Sequence, residues 1–503
     1  MILKMSKKER MMSIFRFCLI VSILLLHTKI ADASDQIPKR TLKTNMTEVY
    51  NQLPGSAETF TQMFEKGIFY GRLRLNSFKW NWGIQTDQNQ NNWATAIGSS
   101  LIYKSAYLDG FGFTAGLYTS YNPLHMDAED VGFVKSGKDL FSRFEVLHGG
   151  RFDLATFAQS YLEYKNKQLS IKAGRQIFES FLTASNDTKM VPNTFEGITL
   201  HSGNIPFLSV KTAYLTRQKL RDHETFHHLL AYGDNPTVLG AGWADNDDSA
   251  MHQGLTLSKL QAEGIDDRLV IFEAAHAVNS DLELMFNYTA VPELIASATI
   301  NGAYTFHLNN NVNITSSLRY MHQMDKGAGK IGGANLVTNT IGYDDPNSLD
   351  SGLFGAKIDL LQGVWDIGLG YTQVRDKGDL IAPWRKFPTS GYTRLMGQYN
   401  IYANTKTTAI DGKYDFGKAG LISGLKAKAG YAIQNFDDTK PGVQADSNVF
   451  TIHLIKTYKS APNLSTKIGM GFSDGKDDTV AMDGSPKDDP SYRDLRFEIN
   501  YLF

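Results

Sequence analysis

From Gly67 to Phe503, apolar and polar residues alternate in short runs, and the runs are joined by connections that are short and long in turn. Strand side chains point to opposite faces with period two, so each run offers one greasy and one polar side. In GLKAKAGYAI, Leu425, Ala427, Ala429 and Tyr431 share one side while Lys426 and Lys428 share the other. The last stretch, DLRFEINYLF, sets Leu495, Phe497, Ile499, Tyr501 and Phe503 against Arg496, Glu498 and Asn500.

Eighteen such strands are expected, the first entered at Gly67 and the last at 492–503. Tight links such as YLDG, Asn166-Lys167, LLQG and KSAPN join the members of a pair. Long connections fall at about 79–92, 121–156, 177–193, 217–267, 325–351, 375–404, 435–446 and 474–491. Val291-Pro292-Glu293 is short where a long link is due, without changing the parity. An even strand number with short turns at one rim and long loops at the other marks a bacterial outer-membrane barrel. A closed barrel pairs every backbone N–H and C=O between strands and can stand in lipid without an edge. The fold class expected is therefore all-β, a transmembrane antiparallel barrel. Its greasy faces meet lipid, Tyr501 and Phe503 join the aromatic girdle, and the last strand closes on the first. The alternative is a soluble multi-sheet protein with cores on the same faces. Export, loop asymmetry and the lack of any Pro-rich, Ser-rich or low-complexity linker weigh against it.

Compartment comes from the other end. Lys4, Lys7, Lys8, Arg10 and Arg16 accompany an apolar run from Phe17 to Leu26, followed by Ala31-Asp32-Ala33. This is a secretory signal, residues 1–33, with the mature chain starting near Ser34; the run is short for a membrane-spanning anchor of about 20 residues. The one cysteine, Cys18, lies within the signal, leaving the mature chain no thiol, disulfide or cysteine metal site. The formal charge of −1 becomes about −5 once the signal's six basic and two acidic residues are removed, too weak a balance to suggest nucleic acid. Residues 34–66 are expected as a periplasmic segment with one short helix, Ser56–Lys66, Ser56 its N-cap and Glu58 in the first turn. Residues 67–503 form the barrel.

Eighteen strands enclose more space than side chains fill, so the lumen is watery unless loops fold in. Inward positions by period carry Arg72, Arg74, Lys172, Lys211, Arg319, Lys357, Lys413, Lys426, Lys428, Lys467 and Arg496, with acids Glu163, Asp359, Asp415 and Glu498. A charge on the lipid side near midplane costs roughly 2–4 kcal/mol, which supports these assignments. Inward cations, above all Lys413, Lys426 and Lys428 on adjacent strands, can draw anions through a pore; the plainer reading is that they pair with wall acids.

Two windows carry a family resemblance. IKAGRQIFESFLTASNDTKMVPNTFEGITL holds Gly174, Gln176, Asp187, Lys189, Pro192 and Gly197; GKYDFGKAGLISGLKAKAGY holds Phe416, Gly420, Gly424 and Leu425. Both resemble the outer-membrane porin D (OprD) family, and the helix before the first strand is similar to its epsilonproteobacterial branch. The resemblance implies a monomeric eighteen-stranded barrel whose third and seventh loops narrow the pore. Loop three is 177–193, with Asp187 and Lys189; loop seven is about 375–404, with Tyr392 and Arg394 as lining groups. It further implies passive diffusion of small hydrophilic solutes, often carboxylates, along a basic ladder, with no enzymatic step and no cofactor. Lys413 matches a ladder Arg; an Arg usual before the next strand's Tyr is Gly430 here, and a Lys lacks the bidentate fork of Arg. Expected partners are outer-membrane lipid and lipopolysaccharide, small solutes and the outer-membrane assembly machinery, the barrel being a monomer or a loosely associated trimer in the Gram-negative outer membrane.

Other constellations carry less. His223, His227 and His228 with Asp222 and Glu224 could hold a metal, but a solvated loop explains them better and no HExxH spacing occurs. Asp474, Asp477, Asp478, Asp488 and Asp489 are acidic loop tips that could bind Ca²⁺ or bridge lipopolysaccharide, as could ordinary solvated loops. No GxSxG elbow is present. An outer-membrane hydrolase and a surface-loop adhesion protein stand as rival functions.

Overall fold

The computed structural model describes residues 40–50, 54–87, 89–135, 137–205, 207–234, 250–309, 311–397, 399–476 and 479–503. The expected export signal lies outside them. The strands are β1 Ile68–Trp82, β2 Asn92–Lys104, β3 Phe111–His125, β4 Asp153–Lys165, β5 Leu169–Gln176, β6 Thr194–Ile205, β7 Leu208–Lys219, β8 Leu269–Ala277 and β9 Leu282–Val291. They continue as β10 Ile295–Asn309, β11 Val312–Asp325, β12 Ser351–Gln362, β13 Trp365–Val374, β14 Lys406–Asp415, β15 Leu425–Asn435, β16 Ser447–Tyr458, β17 Ala461–Gly475 and β18 Tyr492–Leu502. Each pairs antiparallel with its sequence neighbour, and the sheet closes into a barrel of eighteen strands. The parity and the loop asymmetry are as expected.

Closure is made by β18 on β1, in register from Tyr492 opposite Trp82 to Leu502 opposite Arg72. Beyond the last pair, Phe503 and Gly71 exchange backbone hydrogen bonds of 2.9 and 3.1 Å. The alternating tail thus finds its partner strand, which leaves no sheet edge. Outside the barrel, Leu73, Ile97, Phe157, Ile300, Leu318 and Ile358 stand exposed, as a lipid face requires. Phe497 departs from its neighbours and is buried. No helix among the described residues is long and apolar enough to cross a membrane.

Long loops fill the mouth. Loops L3 (177–193), L4 (220–268), L6 (326–350) and L7 (375–405) contribute Phe181, Leu182, Leu230, Leu257, Leu336, Ile381 and Trp384 to one buried cluster with the wall residues Phe195, Leu269 and Leu353. A second cluster joins L2 (126–152), through Val131, Leu140 and Phe141, to Phe78, Trp80 and Tyr492 on β1 and β18. Burial of each such side chain contributes about 1.5–3 kcal/mol, which offsets the entropy of ordering long loops.

The helix differs in extent from the expectation. It runs Phe60–Glu65, and its N-cap is Thr59, whose hydroxyl accepts from the Gln62 N–H at 3.2 Å. Ser56 cannot be the cap, because Ser56-Ala57 pair in parallel with Tyr107-Leu108 in the turn between β2 and β3. The Ala106 N–H donates to the Met63 carbonyl at 3.0 Å, which seats the helix on that turn.

Candidate functional site

Where β5 and β6 diverge into L3, the motif residues form one locked joint. Gly174 and Gly197 face each other in register. A Cβ on Gly174 would lie 2.4 Å from the Ser160 carbonyl oxygen, and one on Gly197 2.2 Å from that of Tyr214, so neither position admits a side chain. Gln176 accepts from the Thr199 hydroxyl at 2.6 Å and donates to the Gly197 carbonyl at 3.1 Å.

From this joint L3 runs through the lumen to the wall at β1. Asp187 lies between two cations of β1: it pairs with Arg72, and Arg74 Nη1 donates to its Oδ1 at 2.7 Å. Arg74 also donates to the carbonyls of Asp187 and Met190, at 2.9 and 3.1 Å. Arg72 and Arg74 are buried under L3 and work as its clamp rather than as open pore lining. Lys189 is buried as well.

L7 is laid along L3. The Ala184 N–H donates to the Trp384 carbonyl at 3.1 Å, Lys386 Nζ donates to the Ser180 carbonyl at 2.8 Å, and Thr183 bridges Arg385. Arg319 on β11 holds the far end of L7 by donating to the carbonyls of Pro388 and Ser390 at 2.6 and 2.9 Å. The Tyr392 ring stacks 4.2 Å from the Arg319 guanidinium, and its hydroxyl donates to Asn301 at 2.9 Å. Both residues anchor the loop. Arg394 covers the rings of Phe387 and Tyr399, 3.6 and 4.9 Å away.

Between these loops and the wall of β16, β17 and β18 lies a cavity of about 610 Å³. Eight of its lining residues are Lys or Arg and two are Glu. Arg385, Lys386 and Arg394 come from L7, Lys138 from L2 and Arg221 from L4. Lys467 and Arg496 come from the wall, with Glu179 and Glu498 the acids, and Lys43 comes from the N-terminal segment. Several of these cations have partners: Lys138 and Arg496 reach Asp494 at 2.6 Å each, Lys467 reaches Glu498 at 3.0 Å, and Arg221 pairs with Asp139. Arg394, Lys467, Arg496 and the acid Glu498 are thus the residues expected from sequence that reach this cavity.

Lys357, Lys413, Lys426 and Lys428 form a separate group toward the short-turn rim. Lys357 pairs with Asp359 and Asp411 at 2.8 and 3.1 Å, Lys413 with Asp366, and Lys426 with Asp415 at 3.3 Å. Lys428 is exposed and lies opposite Lys413. The plainer reading, that wall cations pair with wall acids, therefore describes three of these four lysines.

Sequence reasoning passed over Arg385-Lys386, Lys138 and Arg221. Arg385-Lys386 had a signal, since they adjoin Arg394 in a loop already expected to fold inward. L2 and L4 carried none, because nothing in a polar loop says which wall it packs on.

Among the described residues the histidine cluster does not gather as one set of metal ligands. His223 and His227 are buried with ring centroids 4.6 Å apart, and burial holds both imidazoles neutral, His227 at about 3. The one group of metal-ligand type among the described residues is His228 with Asp266 and Asp267. There His228 Nδ1 contacts Asp267 at 2.9 Å, and Asp266 pairs with Arg268 at 2.9 Å. Of the acidic tips, Asp477 and Asp478 lie outside the described residues.

A closed eighteen-stranded barrel, greasy outside and narrowed within by folded loops around a charged cavity, defines a channel-type outer-membrane protein. The family model described as outer membrane porin, OprD family, matches residues 85–447, and the chain belongs to that family. It is a protein of the Gram-negative outer membrane, and its family comprises porins rather than enzymes. A search of curated proteins by sequence found no match. Among solved structures, Pseudomonas aeruginosa OccK9 (OpdG) is similar at 16% identity and a TM-score of 0.66, covering 88% of this chain and 99% of that one. Acinetobacter baumannii OccAB3 is similar at 16% identity and a TM-score of 0.66, covering 87% and 99%. Pseudomonas aeruginosa OpdQ shares the fold at 14% identity and a TM-score of 0.62, covering 88% and 99%.

Proposed function

We propose that the chain is a passive diffusion channel for small anionic solutes, carboxylate-bearing compounds among them. The observation that carries this is the cavity beside L3 and L7, where eight cationic residues face two glutamates. A carboxylate entering such a space exchanges hydration for charge-assisted hydrogen bonds, strongest with the planar guanidinium of Arg385 or Arg394. The lysines nearer the short-turn rim, of which Lys428 is exposed, would receive it further down. The conducting unit is one barrel, alone or in a loose trimer, with lipopolysaccharide against its outer rim and the assembly machinery as its route into the membrane. Residues 1–33 would be the export signal, 34–66 the N-terminal segment and 67–503 the barrel domain.

Reversal potential across a planar bilayer with a salt gradient tests the selectivity. Anion preference is expected, and Arg394→Gln is expected to weaken it. Cation preference in the unaltered protein would remove the anionic reading and leave a general porin.

A further inference from the structure

Residues 40–50 are an element that a simple loop-narrowed pore does not need. Arg40–Leu42 pairs antiparallel with Glu48–Tyr50, and the turn between them is closed by the Met46 N–H donating to the Lys43 carbonyl at 2.8 Å. Met46 takes a left-handed φ of 64° to make that turn. A two-stranded hairpin is at best marginally stable alone, so its surroundings must hold it. They do so inside the barrel. Arg72, already paired with Asp187 of L3 through Nη2, donates from Nη1 to the Met46 carbonyl at 2.7 Å. The Thr47 and Ser185 hydroxyls are 2.6 Å apart, and Asn45 donates to Glu179 and to Ser185. At the base of the hairpin the Tyr50 and Tyr70 rings meet at a tilt, their centroids 5.1 Å apart.

The tip therefore docks on the luminal side of L3. Lys43, Thr44 and Asn45 line the 610 Å³ cavity, while Lys43, Thr47, Glu48 and Tyr50 line a second cavity of about 230 Å³ against the wall of β1 to β5. The hairpin stands between the two spaces and occupies cross-section that solute would otherwise use. Lys43 is exposed and borders both.

We infer that residues 40–50 are an intraluminal plug that narrows the channel and sets its selectivity through Lys43. This rests on the channel reading above. The hairpin blocks by volume, and the Lys43 ammonium adds a cation at the border of the two spaces. Because its contacts are a handful of hydrogen bonds to L3 and Arg72, the plug is held by the same residues that hold the constriction.

The test is single-channel recording of the full chain with three changes. Replacing 40–50 by a Gly-Ser linker is expected to raise conductance about twofold, as removal of a narrow resistive segment would. Lys43→Glu, which alters no contact that holds the hairpin, is expected to shift the reversal potential toward cations. Thr44→Cys, treated with a negatively charged thiol reagent, is expected to lose conductance. Unchanged conductance in a folded linker variant would overturn the plug. Should that variant not fold, an unshifted Lys43→Glu potential together with an unaffected, fully labelled Thr44→Cys channel would overturn it. A silent unaltered protein would instead sink the channel reading itself, so the two failures are distinguishable.

Discussion

Asp187 is the residue on which the constriction turns, because one buried carboxylate balances the guanidinium groups of both Arg72 and Arg74. Removing one partner of a buried ion pair leaves the other uncompensated and costs about 3–5 kcal/mol. Asp187→Asn is therefore expected to free L3 from β1. Larger and noisier single-channel currents should accompany a lower temperature for the gel shift between folded and unfolded barrel. An unaltered shift would show that L7 alone holds L3. The buried pair His223 and His227 makes a second expectation at this scale. Both imidazoles are held below the ordinary 6.5, His227 at about 3. An unfolded L4 would bind protons in that window and the folded loop would not, so stability rises with pH there. The contribution is complete above pH 6.5 and is lost as pH falls toward about 3. Hydrogen exchange over 219–234 should show protection that declines through this window, and flat protection would contradict it.

Strands obey a rule that a single substitution can expose. Ile358 lies on the outer face of β12, while Lys357 beside it turns inward to Asp359 and Asp411. Ile358→Lys is expected to destabilise the barrel by about 2–4 kcal/mol, the cost of a cation against bilayer hydrocarbon. Denaturant titration in lipid vesicles measures it, with Lys428→Leu on the inner face of β15 as the tolerated counterpart. At this scale nearly everything was legible: period two assigned both faces, and turn chemistry placed the short links. The helix was misplaced at its start because Ser56-Ala57 found a better use pairing with Tyr107-Leu108. N-cap preference is a local signal, and a tertiary partner overrode it.

For the whole molecule, the cavity's charge acts at a distance set by salt. The Debye length shrinks from about 10 Å at 0.1 M to about 3 Å at 1 M, so anion preference should fade over that range while conductance grows. Reversal potentials at a fixed salt ratio and rising mean concentration check this. A preference independent of salt would point instead to direct contact at a single narrow site such as Arg394. Five loops and the hairpin decide the channel's shape, while the barrel wall only sets its limits.

The sequence by itself determined the barrel, its strand number, its two faces and the family, because alternation, turn residues and the two motif windows are local patterns. It also marked L3 and L7, with Lys189 and Arg394 on them, though not Arg385-Lys386. The tertiary structure alone decided which cations remain in the open cavity. Arg72 and Arg74 became clamps, Arg319 and Tyr392 became anchors, and Lys357, Lys413 and Lys426 were paired by wall acids. It alone brought in L2, L4 and residues 40–50, for a physical reason: the fate of a charge or a loop depends on partners that other strands and loops supply. Periodicity carries no record of them.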